Sequence, residues 1–360
     1  MALVSEAASH RVAQGALQQA PDPAPGDTAS GVVSPLPAAA VGALPLPVPP
    51  APLRTPARAD GWLGGILAGL AAGALWGMVF VAPEVVPQFG AVDLAVGRFV
   101  ACGLFSLLLL LVPGLLGRGL RLPTLAQAGA ALGLSVLGYT GYYLLLVLAI
   151  GQAGPVLPTL IIGTIPVWVM LLGKPVGLRW AALVPGLLLT AAGLAILLRL
   201  PDDSRLGEPV SLWLGVACAA AAMVSWTAFA LLNAAWLKRH PEVPVWHWAT
   251  WMGVAAGVGA LGLWLVLGTP LAVLSQREGW GLFVAVCVVT GIGAAWVASV
   301  AWNLASRRLS PSLAGQLIVS ETVFGVAYAF VWSGQWPVAA QWLACGLFVL
   351  GILASIRAHR

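Results

Sequence analysis

Charge is scarce in this sequence: of its 360 residues only 8% are Asp, Glu, Lys or Arg, against about 25% in soluble globular domains. Water is thereby excluded as the main solvent of the fold. Cysteine is scarce too. Cys102, Cys218, Cys287 and Cys345 each stand inside an apolar run without paired spacing, which argues against a disulfide framework and a cysteine metal site. His10, His240, His247 and His359 are scattered through tail, loops and terminus, so neither a metal cluster nor any other cofactor is expected. No glycine-rich loop carries the lysine that holds nucleotide phosphates, which argues against ATP-driven transport. The formal charge of +5 is spread between hydrophobic segments and forms no basic stripe, so nucleic acid is not an expected partner.

What the sequence has in abundance is apolar length, with 60% hydrophobic residues. A spanning helix needs about 20 mostly apolar residues, because the hydrocarbon layer is about 30 Å thick and each helical residue rises about 1.5 Å. The runs predict helices near 62–82, 92–112, 126–149, 154–173 and 179–199, then near 211–236, 246–267, 280–304, 312–333 and 338–357. The expected fold is an all-α integral membrane protein of ten transmembrane helices, with the lipid bilayer as its first partner. Residues 1–60 read differently: Pro45, Pro47, Pro49, Pro50 and Pro52 leave no room for a helix, so an Ala/Pro-rich disordered tail is expected there. Its apolar stretch, Ala38 to Leu46, lacks the unbroken run of a secretory signal.

Lysine and arginine are retained on the cytoplasmic side during insertion. With the N terminus inside, Arg11, Arg54, Arg58, Arg118, Arg121, Lys174, Arg179, Lys238, Arg239, Arg307, Arg308, Arg357 and Arg360 all fall inside, and only Arg199, Arg205 and Arg277 fall outside. Ten spans then put both termini in the cytoplasm of a bacterial-type inner membrane. Trp246, Trp248 and Trp251 at the start of the seventh span, and Trp332 and Trp336 at the end of the ninth, are expected to anchor it at the headgroups.

The two halves echo each other. Gly65 and Trp76 in the first helix recur as Gly215 and Trp226 in the sixth, while Ala149, Pro155, Leu157, Ile162 and Val167 recur 156 residues later as Ala305, Pro311, Leu313, Ile318 and Val323. Five spans per repeat is an odd number, so the copies must insert upside down relative to each other, as in many transporters. The expected organisation is a first repeat over 61–200, a periplasmic linker over 201–210, a second repeat over 211–357 and a cytoplasmic end at 358–360. Within the first helix Gly65, Gly69, Gly73 and Gly77 recur every four residues, a stripe on which another helix packs closely.

From about 62 to 357 the chain resembles the EamA-type transporters of the drug/metabolite transporter superfamily. The resemblance rests on Trp76-Gly77, Arg98, the run from Ala149 through Pro155 to Pro166-Val167, Trp226, the run from Ala305 through Pro311 to Glu321, and Gly351-Ile352. It implies a ten-helix inverted-repeat fold, a central cavity between the halves, and alternating access for export or exchange of metabolites. Two departures stand out: Thr322 follows the glutamate where the family often has proline, and Gln335 stands where a glutamate is common. The first should straighten the ninth helix. The second removes a candidate coupling carboxylate, and both weigh against proton coupling.

Glu321 is the acid placed deep inside a span. An acid at a helix centre costs about 2.5 to 3.5 kcal/mol on insertion scales, so it must face protein or water or stay protonated. Gly325 and Tyr328 share its face, a hole and a phenol that suit an amine-bearing ligand. Arg98, about six residues into the second span, either snorkels to water or binds a solute carboxylate. Ser135, Tyr139, Tyr142 and Tyr143 fall on one face of the third helix, and Trp296, Ser299 and Asn303 form a comparable stripe on the eighth; both stripes are read as cavity lining or as core. Trp76 and Trp226 join the candidate substrate-binding set as matched residues of the two repeats.

The leading function is secondary transport of a small organic metabolite, an amino acid or related amphiphile, most simply by export, with a coupling proton as a further candidate partner. A membrane-embedded enzyme would need a nucleophile with its base, paired acids or a metal cluster, none of which the sequence displays, so no enzyme activity is expected. A membrane scaffold or sensor has only the N-terminal tail in its favour.

Overall fold

The computed structural model describes residues 59–116, 122–153, 158, 161–197, 211–334 and 336–360. The expectations for the tail, the 201–210 linker, Arg118, Arg121, Pro155, Leu157, Arg199, Arg205 and Gln335 lie outside the described residues.

Among the described residues the regular structure is entirely helical. In chain order the main helices are α1 (Gly61–Val85), α2 (Ala91–Pro113), α3 (Leu125–Ala153), α4 (Ile165–Leu172), α5 (Trp180–Leu197), α6 (Leu212–Arg239), α7 (Val245–Leu267), α8 (Trp280–Arg308), α9 (Pro311–Ser333) and α10 (Ala339–Ala358). All but α4 and α5 are long and apolar enough to cross a membrane. Their outer faces demand lipid: Leu104, Leu108, Leu188 and Leu265 are each more than half exposed, and such apolar surface in water would aggregate.

Local chemistry sets the helix ends. Thr124 and Gln127 form a reciprocal capping box at the start of α3. Ser310 caps α9, with Pro311 in the first turn where its missing N–H costs nothing. Gly334, at φ 67°, closes α9 in the left-handed conformation that glycine adopts without strain.

Two helices depart from α geometry at matched places. In α3 the segment Val136–Thr140 is a π-helical turn, and in α8 the segment Gly291–Val297 is another; the second overlaps the first when it is shifted by the same 156 residues. A third irregularity lies in α9, which is interrupted at Val319, where the Val319 and Thr322 amides bond three residues back and the Ser320 hydroxyl donates to Leu317 O at 2.7 Å. The ninth helix is thus broken one turn before Thr322 even without the proline.

Packing runs in pairs. α1 packs on α8 and α9, α6 on α3 and α4, α2 on α7, α4 on α9, and α5 on α10. Exchanging the first five labels for the last five leaves this set unchanged, whereas the packing of α8 on α6 and α7 is not matched by that of α3 on α1 and α2. The glycine stripe of α1 acts as the close seat expected of it: side chains added at Gly65, Gly69, Gly73 and Gly77 would meet Leu309, Leu317, Ser320 and the Gly325 backbone respectively. In the other half, one added at Gly215 would meet Ala153.

The tryptophans of α7 are corrected by the structure. Trp246 is 44% exposed as an anchor should be, but Trp248 is fully buried and Trp251 nearly so. Trp248 stacks on Trp236 at 3.5 Å and donates to Asn233 Oδ1 at 2.8 Å. Its indole is a core residue whose polar edge is satisfied inside the bundle. Trp332 and Trp336 are exposed at the end of α9.

Candidate substrate site

Glu321 lies at the middle of α9, in the first turn after the interruption at Val319. That position sets its side chain close to the positive end of the following helical segment. Gly73 and Gly77 of α1 press against the same turn. Across from it, α2 carries Arg98, whose backbone packs on Gly291 at the start of the α8 π-turn.

The Arg98 guanidinium and the Glu321 carboxylate interact through space, and Tyr142 lies within reach of both charges. Yet they form no ion pair: their nitrogens and oxygens stay outside 4.0 Å, and the His240–Glu242 contact at 3.0 Å is the salt bridge found among the described residues. Arg98 Nε is sealed in the protein without an acceptor. Arg98, Tyr142 and Glu321 are each only part-buried although they sit between helices. Two opposite charges inside the helix bundle are thus not neutralised by direct contact with each other.

Aromatic rings complete the setting. Trp76, Tyr142 and Trp226 pack on one apolar cluster that includes Trp302, with Trp302 5.5 Å from Trp76 and 6.4 Å from Trp226 between ring centroids. Tyr139 meets Phe99 and Phe229 edge-on and hydrogen-bonds Ser299 at 2.8 Å. Tyr143 donates to Ala91 O at 2.8 Å, at the start of α2.

The structure therefore gathers Arg98, Tyr142, Tyr143 and Glu321 into one electrostatic group, with Trp76 and Trp226 joined to it through Tyr142. Three other candidates serve elsewhere. Asn303 accepts from Asn233 Nδ2 at 3.0 Å inside a buried polar knot. Trp296 donates to Thr250 at 3.2 Å and meets Phe105 edge-on. Tyr328 stacks on Phe324 and borders a separate apolar crevice with Met78 and Trp332. Sequence reasoning missed Trp302 and Asn233, whose importance comes from neighbours distant in the chain.

No family model matches the chain. The inner membrane protein YtfF of Escherichia coli (strain K12) is 33% identical over 314 residues, which cover 82% of this chain and 96% of that relative. A solved crystal structure of another protein is 21% identical and superposes with a TM-score of 0.66, over 83% of this chain and 98% of that one, a likeness of fold.

Proposed function

Because the chain belongs to the family of the E. coli inner membrane protein YtfF, we propose that it is a secondary transporter of the EamA type, built as two inverted five-helix repeats and moving a small organic metabolite by alternating access. The pairing of helices supports the repeat, since exchanging the halves preserves most of it. So do the contacts of Gly65 with Leu309 and of Gly215 with Ala153: the glycines are 150 residues apart and their partners 156.

One observation carries the transport reading: Arg98 and Glu321, each inside a helix long enough to span, lie in Coulombic reach of each other but unpaired. Intramembrane charges are costly and mark solute or ion paths. A solute bearing both an amine and a carboxylate satisfies the two at once, so an amino acid or related amphiphile is the substrate class that fits best. The part-buried rings of Trp76, Tyr142 and Trp226 offer its apolar portion a surface. A coupling proton, if one is used, has Glu321 as its carrier, and export follows the family resemblance.

The test is reconstitution into liposomes with a panel of amino acids and related amines. Wild type should take up at least one of them, and Glu321→Gln should lose at least tenfold in rate. Uptake of none would return the protein to the scaffold or enzyme readings, and normal transport by Glu321→Gln at every pH would make the acid structural.

A further inference from the structure

A crevice that neither Arg98 nor Glu321 lines runs along the outer half of α9, from Thr322 to Ser333. It has a volume of about 460 Å³, within the range of about 300 to 1,000 Å³ typical of small-molecule sites. Its walls come from the end of α1, the outer half of α9 and the start of α10. Its lining includes three aromatic residues and one acid, Phe80, Phe330, Trp336 and Glu84, together with the uncharged polar Thr322, Ser333 and Gln341.

The chain places these groups by specific local devices. Phe80 lies against Gly325, where any side chain would push the ring away. The left-handed turn at Gly334 folds the chain back, so that Trp336 packs on Phe330 with centroids 4.5 Å apart. Gln341, another lining residue, is fixed by accepting the Val338 amide at 2.9 Å. Glu84 sits in the short turn Ala82–Val85, exposed and without a salt-bridge partner among the described residues. Among the described lining residues there is no Lys, Arg or His. Arg277, a cation at this end of the bundle, is held by Gln88 O at 3.0 Å.

A carboxylate without a salt-bridge partner among the described residues, beside several aromatic residues and with no cation among the described lining residues, is the chemistry that holds a substituted ammonium ion. Ring quadrupoles attract the diffuse charge, and the carboxylate supplies the net attraction. An anion would be repelled by Glu84. We propose that this crevice binds an organic ammonium ion through Glu84 and the faces of Phe80, Phe330 and Trp336.

The probe is radiolabelled phenyltrimethylammonium, measured by equilibrium binding to the purified full-length protein, with tert-butylbenzene as its uncharged isostere in competition. Because no transport is required, the outcome is independent of the proposed function. Saturable binding is expected, weakened at least tenfold in Glu84→Gln, weakened in Trp336→Leu, partly kept in Glu84→Asp, and not displaced by the isostere. Glu84 and Trp336 are exposed, so these variants should elute as folded wild type does. Absence of saturable binding, or equal affinity in Glu84→Gln, would overturn the proposal. So would loss of binding in Glu321→Gln with Glu84→Gln unaffected, which would move the cation to the central site.

Discussion

The Tyr139 hydroxyl lies 2.8 Å from the Ser299 hydroxyl, joining the π-turn of α3 to a residue two positions past the end of the α8 π-turn. Ser299 also donates to the Ala295 carbonyl, so its single proton is used and Tyr139 must be the donor. Ser225 donates to Leu137 O at 2.8 Å within the same α3 turn. The wide π-turns therefore sit where helices of the two halves meet, and polar side chains occupy backbone groups that ordinary α geometry would keep to itself.

Tyr139→Phe is expected to lose about 0.6 to 1.5 kcal/mol of stability, the span between hydrogen bonds measured in membrane bundles and typical protein values. A double-mutant cycle with Ser299→Ala, read by denaturant titration, should give less than the sum of the single losses. Full additivity would mean that the two hydroxyls do not interact.

Gly77 and Gly129 make a controlled pair, both glycines inside helices. A methyl group at Gly77 would press on the Gly325 amide and Phe324 Cβ, whereas one at Gly129 meets nothing within 4 Å. Gly77→Ala should cost about 1 to 3 kcal/mol, as overpacking does, and Gly129→Ala should be neutral or stabilising by up to about 1 kcal/mol. Thermal unfolding of the two variants side by side checks the sign difference. Equal losses would show that α1 does not use its stripe as a seat on α9.

Much of this was legible in advance, for a physical reason. Apolar length and glycine periodicity are properties of a few consecutive residues, so the positions of the long helices and the contact face of α1 follow from sequence. The π-turns of α3 and α8 left no local signature, because they answer to packing across helices. Trp248 carried a misleading signal: placed near a span end, it matched the pattern of an interfacial anchor, but Asn233 and Trp236 on α6 drew it inward. The candidate site was half legible. Arg98, Glu321 and Tyr142 stood out as polar groups in apolar runs, while Trp302 looks like any other tryptophan until Trp76 and Trp226 close around it. Asn303 and Trp296 had the same polar-in-apolar signal and are bonded to Asn233 and Thr250.

Arg98 separates stability from function. Its Nε has no acceptor and no ion pair neutralises it, so the folded state bears a buried donor without compensation. Arg98→Met should fold at least as stably as wild type, since an apolar side chain of similar length removes that penalty. Uptake of any carboxylate-bearing solute should fall at least tenfold. Reduced stability in thermal unfolding, with uptake unchanged, would make the arginine a structural group.

The charge asymmetry of the two ends yields a prediction about orientation. At one end Lys238 donates to Leu309 O at 2.7 Å, Arg307 to Val243 O, and Arg360 lies 5.2 Å from the Trp62 ring. These cations rest on backbone carbonyls or rings, as suits positive groups at helix C-termini. At the other end Gln88 donates to Glu278 O at 2.9 Å, and Asp93 accepts from the Thr269 amide and hydroxyl at 2.8 and 2.7 Å. Basic residues thus gather at the end that holds the α6–α7 turn, and acids with Arg277 at the end that holds the α7–α8 turn. The positive-inside rule assigns the first to the cytoplasm. Glu242 and Glu278 are both exposed, one at each end, so a cysteine at either site reports which side it faces. Glu278→Cys should react with an impermeant maleimide added to intact spheroplasts, and Glu242→Cys only after permeabilisation. The opposite pattern would invert the whole chain in the bilayer, move the crevice at Glu84 to the cytoplasmic face, and require a solute arriving there instead.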